Sequence, residues 1–267
     1  SLIELMIAAL LSLIIVVFIT NIMITSNRTG MQSEGLAQAQ ENGRFILSWL
    51  QGHLRQAGQP YPSNSVQERI QPFAEACSST LLPPNDNADC SFDSANTNES
   101  DRIAIRRTYV KDDDLETEIS DKDCSGQSVV LADKVVVTDV YWVDPPGSDD
   151  EDPGGILKCA TYDDSHKVIG GVIEIANGIE GLQVLYGLKP SVDSQYRSNI
   201  NRYVPLDEVS DWKMVGAIRV GILTRAAAER SLDKKSRKYI LLDAAPVVFD
   251  DSVARHIQTT TIFLPNE

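Results

Sequence analysis

Four cysteines, three histidines and a surplus of carboxylates are the side chains with which this sequence could do chemistry. The cysteines are Cys77, Cys90, Cys124 and Cys159. None forms CxxC, so the usual zinc, redox and haem spacings are absent. An even count fits two disulfides in an oxidising compartment. Three pairings are open; closing the shortest loops favours Cys77–Cys90 with Cys124–Cys159. Cysteines held in disulfides cannot act as nucleophiles. His53, His166 and His256 have no HxxxH-type partner for a metal. No GxSxG, phosphate-binding loop or GxGxxG between a strand and a helix is present. Carboxylates are abundant, yet no pair stands out as an acid–base couple for glycoside hydrolysis. The sequence therefore predicts no catalytic residue, no metal, no cofactor and no enzymatic activity.

The charge balance narrows the partners. Acidic residues outnumber basic ones by 38 to 24, a net charge of −14. Nucleic-acid binding, which needs a basic face, is disfavoured. A solvated, self-repelling surface outside the cell fits better. The stretch DPPGSDDEDPGG at residues 144–155 reads as an acidic loop. Its oxygens, like those of Asn85, Asp86, Asn87 and Asp89, suit Ca²⁺ by type, but neither stretch fits an EF-hand. Asp112, Asp113 and Asp114 read as solvated. The basic run Lys234, Lys235, Arg237 and Lys238 reads as a solvated turn, or as a patch that attracts an acidic neighbouring head.

The elements that carry these residues begin with an apolar rod. Residues 5–19 read LMIAALLSLIIVVFI, and apolar character continues to Ile24. No charge falls between Glu4 and Arg28. About 24 residues of this kind cross a hydrocarbon layer of about 30 Å. A cleaved secretory segment is shorter and lies upstream of its cut, so this run reads as a retained span. Glu4 is the anomaly, because a carboxylate deep in lipid costs about 2.5–3.5 kcal/mol. It reads either as an acid snorkelling at the interface and favoured by the helix dipole, or as one that takes a cation from another chain.

The residues Ser1, Leu2, Ile3, Glu4, Leu5, Met6, Ile7 and Ala8 resemble the start of mature type IV pilins and pseudopilins. That resemblance implies a prepilin peptidase cut before an N-methylated residue, usually Phe, immediately preceding Ser1. It implies that Glu4 meets the N-terminal amine of a neighbouring subunit, with Leu2, Ile3 and Leu5 packing beside it. Gln40, Glu41, Asn42, Gly43, Arg44 and Phe45, followed by Leu54, Arg55, Gln56, Ala57 and Gly58, resemble the PilW minor pilins. Weaker similarity continues at residues 101–104 and 177–182 and at Arg255. It is strong over the first 58 residues and thin beyond.

Past the rod, Leu36, Ala39, Gly43, Ile46, Leu47, Leu50 and Leu54 repeat at i+3 and i+4, a helical stripe. Phe45 and Trp49 form a second flank. A continuous helix over residues 1–57 would be about 85 Å long. Asn21, Thr25, Ser26, Asn27, Thr29 and Gly30 are poor helix formers, so this stretch is expected to bend or unwind in a filament. The helix should end near Gly58. A loop with a short helix near residues 67–76 follows. Strands are predicted at residues 102–110, 129–132, 134–143, 157–162, 172–176, 182–188, 215–224, 239–242 and 256–264. Short Gly- and Pro-rich connections make the pairing antiparallel.

The expected architecture is α+β, with a long N-terminal helix, its apolar half protruding, packed on a mainly antiparallel head. The divisions are residues 1–25, the transmembrane or filament-core helix; 26–58, its amphipathic continuation; and 59–267, an extracellular head. The resemblance implies a structural subunit of a type IV pilus-like filament, minor or major. Its partners would be other pilin subunits, the prepilin peptidase and the pilus assembly machinery. It would sit in the inner membrane before assembly and in a surface filament afterwards. The alternatives are a membrane-tethered extracellular binding protein and a type II secretion pseudopilin.

Overall fold

The computed structural model describes residues 2–59, 70–74, 77, 81–94, 100–109, 122–129, 135–144, 154–191, 199–226 and 234–265. A single long helix, α1 (Leu2–Leu54), precedes the strands. These are β1 (Ile103–Tyr109), β2 (Val135–Asp144), β3 (Ile156–Tyr162), β4 (Val168–Asn177), β5 (Ile179–Leu188), β6 (Arg202–Val204), β7 (Val215–Arg225), β8 (Lys235–Tyr239), β9 (Val247–Asp251) and β10 (Arg255–Phe263). They form a sheet ordered β1-β2-β3-β4, a second ordered β10-β7-β5-β6, and a separate β8–β9 pair. Every pairing among them is antiparallel. The architecture is the α+β arrangement expected of a pilin-like chain.

Residues 21–30 are helical in this single chain. Hydroxyls here do not compete with the helix, because they fold back onto it. Thr29 Oγ1 donates to Thr25 O at 2.9 Å, as Thr20 Oγ1 does to Val16 O at 2.8 Å. The helix stops at Leu54 and turns through Gly58, whose φ of 72° suits glycine. The Gly58 N–H donates to Arg106 O of β1 at 2.8 Å, tying the turn to the first sheet.

The main core lies between the sheets and the second half of α1. Ile46, Leu50 and Leu54 are fully buried there with Ile103, Ile105, Tyr141, Cys159, Ile218 and Ile262. Each such aliphatic side chain contributes about 1.5–3 kcal/mol of transfer free energy. The first sheet is buried on its other face too, where Ala104, Val140, Trp142, Ala160 and Tyr162 pack with Ala88. The loop carrying Ala88 covers that face, and Tyr162 Oη donates to Asn85 O at 3.0 Å.

Several expectations change. In the helical stripe Gly35 is buried, whereas Leu36 is more than a third exposed. Lys235 begins strand β8 rather than lying in a turn, and the strand ends at Tyr239, where residues 239–242 were expected to begin one. The run KSRKY lacks apolar alternation, and its pairing with β9 supplies the order instead. The short strands β6 and β9 were not foreseen. In the expected helix near residues 67–76, the described residues 70–74 are not helical, and Phe73 bridges Ile105 of β1. Half of that segment, most of 129–132, Asp112–Asp114 and the acidic residues 145–153 lie outside the described residues.

Candidate functional site

The first half of α1 is a bare apolar rod. Residues 2–24 are all exposed, including Leu2 at 79% and Leu5 at 73%. At 1.5 Å per residue this stretch is about 34 Å long, enough to cross a bilayer core. It satisfies the length and composition of a membrane span and is not buried in the head. A continuous apolar surface of this size marks a membrane or protein contact. Leu2, Ile3, Glu4 and Leu5 stand exposed at its tip, with Glu4 in the first helical turn. There the helix dipole favours an anion. A polar strip of Asn21, Thr25, Ser26, Thr29, Gly30 and Ser33 marks the exit from the rod.

Small residues bring the rod's continuation onto the head. Gly35, Ala39 and Gly43, four apart, lie along one side of α1 and are buried. Thr224 Oγ1 on β7 donates to Ala39 O at 2.8 Å. Gln258 Nε2 on β10 donates to Gln40 O at 2.7 Å. The Gln258 amide sits so close to Gly43 that a Cβ there would meet it at 2.8 Å. Beside this seam, Glu41, Arg44, Phe45, Ser48 and Gln51 form one wall of an open groove, with Thr259 and Thr260 opposite. Phe45 is 65% exposed, whereas Trp49 turns inward to Tyr141, their rings 5.8 Å apart.

The last helical turn rests on a buried polar knot. His53 stacks on Trp49 at 4.1 Å between ring centroids. Arg107 Nε donates to Asp139 Oδ2 at 2.6 Å, and each side chain is 2% exposed. Thr161 Oγ1 also donates to Asp139, at 2.7 Å. Burial works against the Arg107 cation, but the Asp139 carboxylate, with Tyr141 and Asp123 adding to it, holds the guanidinium pKa above its usual value. Burial lowers the His53 pKa; Asp139 and Asp123 pull it up and Arg107 pushes it down, with burial dominant. The Cys124–Cys159 disulfide lies in the adjoining core, and Cys77–Cys90 closes the loop over the first sheet.

Two further staples hold the head together. Arg255 donates to both carboxyl oxygens of Glu180, and through Nη1 and Nη2 to Asp251 at 2.7 Å each. Its guanidinium lies 3.7 Å over the Phe249 ring. This clamp ties the β8–β9 hairpin to the start of β5. Asp101 accepts from Ser94 N–H at 3.0 Å and Val184 N–H at 2.8 Å, joining the loop to β5. Burial pushes its pKa up to about 8 against the pull of those two donors.

The Ca²⁺ candidates have other engagements. Asp89 pairs with His166 at 2.7 Å, and Asn85 Nδ2 donates to Leu82 O. Among the described residues no three His, Cys, Asp or Glu side chains are placed to hold a metal. Thr224, Gln258, Arg107 and Asp139 had no sequence signal. Glu180 and Arg255 fell in two of the weak similarities, and the fold brings them together.

The family described as type IV pilus-assembly protein W, PilW, matches residues 140–266. The match lies in the head, where the sequence had shown only thin similarity, and not in the first 58 residues. No curated protein matches the chain. Among solved structures, a type IV-like pilin from Thermus thermophilus is 13% identical with a TM-score of 0.36, covering 64% of this chain and 80% of its own. The chain resembles PilW through the larger part of its head.

Proposed function

We propose that this protein is a structural subunit of a type IV pilus-like extracellular filament. It would be held in the inner membrane by its apolar rod before assembly. It would then exchange lipid for the rods of neighbouring subunits. The observation that carries this reading is the rod itself: residues 2–24 exposed on a helix whose second half is locked onto a disulfide-bonded head. Lipid and a bundle of like helices both satisfy such a surface, and both leave its backbone satisfied within the helix.

Glu4 supplies the direction of exchange. A carboxylate among apolar helices is stabilised by a cation placed beside it. The N-terminal amine of the adjacent subunit provides one at the right end of the rod. Leu2, Ile3 and Leu5 would pack around that pair. A prepilin peptidase and the assembly machinery are the further partners of this reading. The PilW similarity favours a pilus component, minor or repeating, over a secretion pseudopilin.

The Glu4→Ala variant tests the scheme. Membrane insertion should persist, because removing the charge makes the rod more apolar. Incorporation into sheared surface fibres, read by immunoblot, should collapse. Undiminished incorporation would refute the docking role. Absence of the wild-type chain from fibres would favour the second reading, a head tethered singly to the membrane.

A further inference from the structure

The two disulfides of the head lie in unlike surroundings. Cys124 and Cys159 are buried in the main core. Cys77 and Cys90 are both partly exposed. Beside them the buried side chain of Arg102 is wedged under the loop. Its Nε donates to Cys90 O at 2.8 Å and its Nη1 to Leu81 O, and the Phe92 ring centroid lies 5.8 Å from the guanidinium carbon. These contacts fix the direction of Nη2, which reaches both sulfurs, 2.6 Å from Cys77 Sγ and 3.5 Å from Cys90 Sγ. A held cation therefore bears unequally on the two ends of a partly exposed disulfide.

A guanidinium stays charged throughout the pH range in which thiols titrate. Placed against a sulfur, it stabilises that sulfur as a thiolate. In thiol–disulfide exchange the less basic thiolate leaves faster. Cys77, the nearer sulfur, is thus the better leaving group, and attack falls on Cys90. Cys90 follows an exposed stretch of the loop, Pro84 to Asn87. Two other ionisable groups act on Arg102. The Asp89 carboxylate, which would oppose a thiolate, is itself engaged by His166 at 2.7 Å, and the Tyr162 hydroxyl donates to Asn85 O.

We propose that Cys77–Cys90 is an exchangeable disulfide, opened by an external dithiol that attacks Cys90 and expels Cys77 as a thiolate held by Arg102. The attacking thiol first loses its proton to solvent. Its sulfur bonds to Cys90 Sγ, the Cys77–Cys90 bond breaks, and the electron pair stays on Cys77. The second thiol of the dithiol then attacks its own sulfur in the mixed disulfide and releases Cys90, which takes up that thiol's proton. The dithiol leaves oxidised by two electrons, and the cysteine pair is reduced by two. The loop keeps other anchors meanwhile: Phe92 and Arg102 exchange backbone bonds of 2.8 and 2.9 Å, and Ala88 stays packed on the first sheet. The reduced cysteines therefore remain close enough to close again, and the site is reversible.

The full chain in micelles, treated with dithiothreitol, acid-quenched and alkylated, tests this by peptide mass spectrometry. Cys77–Cys90 should open while Cys124–Cys159 stays closed; opening of both together would overturn the proposal. Brief exposure to glutathione, a monothiol, should leave its adduct on Cys90, and an adduct chiefly on Cys77 would refute the assigned direction. Burial alone would also protect Cys124–Cys159, so the role of Arg102 needs its own readout. That readout is the pH profile of Cys77 alkylation in the selectively reduced chain. Its midpoint should lie below the ordinary thiol value of about 8.5. It should rise in Arg102→Gln and stay low in Arg102→Lys, which keeps the charge. A wild-type midpoint at or above the ordinary value would overturn the proposal, as would one that Arg102→Gln leaves in place. If Arg102→Gln does not fold, the wild-type midpoint and the position of the adduct decide.

Discussion

Gly43 offers a measure of how closely the helix is seated on the head. Replacing it with Ala has two opposing effects. Helix propensity gains about 1 kcal/mol. The new Cβ, however, meets the Gln258 amide at 2.8 Å, and only that flexible side chain can give way. Gln258 then swings out and loses its 2.7 Å bond to Gln40 O, at a cost of about 1 kcal/mol. The net change for Gly43→Ala should be near zero. In a Gln258→Ala background the contact is already gone, so the same substitution should stabilise by about 1 kcal/mol. The coupling energy of the cycle is therefore about 1 kcal/mol. Gly52, where an added Cβ would meet nothing within 4 Å, is the control and should gain in both backgrounds. Thermal unfolding of the full chain in micelles, followed by tryptophan fluorescence, reads these changes; about 1 kcal/mol corresponds to a shift of roughly 2–4 °C in Tm. An equal gain from Gly43→Ala in both backgrounds would show that Gln258 does not sit on the helix and would refute the close approach.

The His53 pKa is lowered on folding, so the neutral ring is the stabilising form. That contribution is complete above the ordinary value of 6.5 and is lost as pH falls through the lower folded value. Acid unfolding should therefore begin at a lower pH in His53→Gln, and an unchanged profile would exclude the effect. Asp139→Ala strands Arg107 in the core and should cost about 3–5 kcal/mol, whereas an Arg107→Met/Asp139→Leu pair should recover most of it. A loss below about 1 kcal/mol in urea unfolding would mean that the pair is solvated. Replacing Cys124 and Cys159 together by Ser opens a 35-residue loop and should cost about 4 kcal/mol in the same assay, against about 3 kcal/mol for the 13-residue Cys77–Cys90 loop.

Hydropathy and spacing made the rod, the helical stripe from Ala39 to Leu54 and the β-branched strands legible, because each buries or exposes side chains at a fixed period. Gly35 was invisible for the opposite reason: a glycine that admits a close neighbour carries no hydropathy signal, and Leu36 beside it drew the stripe one residue off. Strand β8 escaped because Lys235, Ser236 and Lys238 are exposed, so its order comes from β9 and from the Arg255 clamp. The polar contacts at the junction join residues far apart in sequence, Thr224 to Ala39 and Gln258 to Gln40, and no local pattern announces them. Asp101, Glu180 and Arg255 lay in stretches of faint similarity, and each proves to be a staple between distant elements.

The seam along α1 also decides how the molecule would bear force. Its contacts run from Ala39 to Leu54, about 22 Å of helix laid along the sheet edge. A pull directed down the helix axis loads the Thr224 and Gln258 bonds and the Ile46, Leu50 and Leu54 packing together, in shear. A pull across the axis would instead open them one after another from Ala39 upward. The head is consequently fastened most firmly in the direction in which its own helix points.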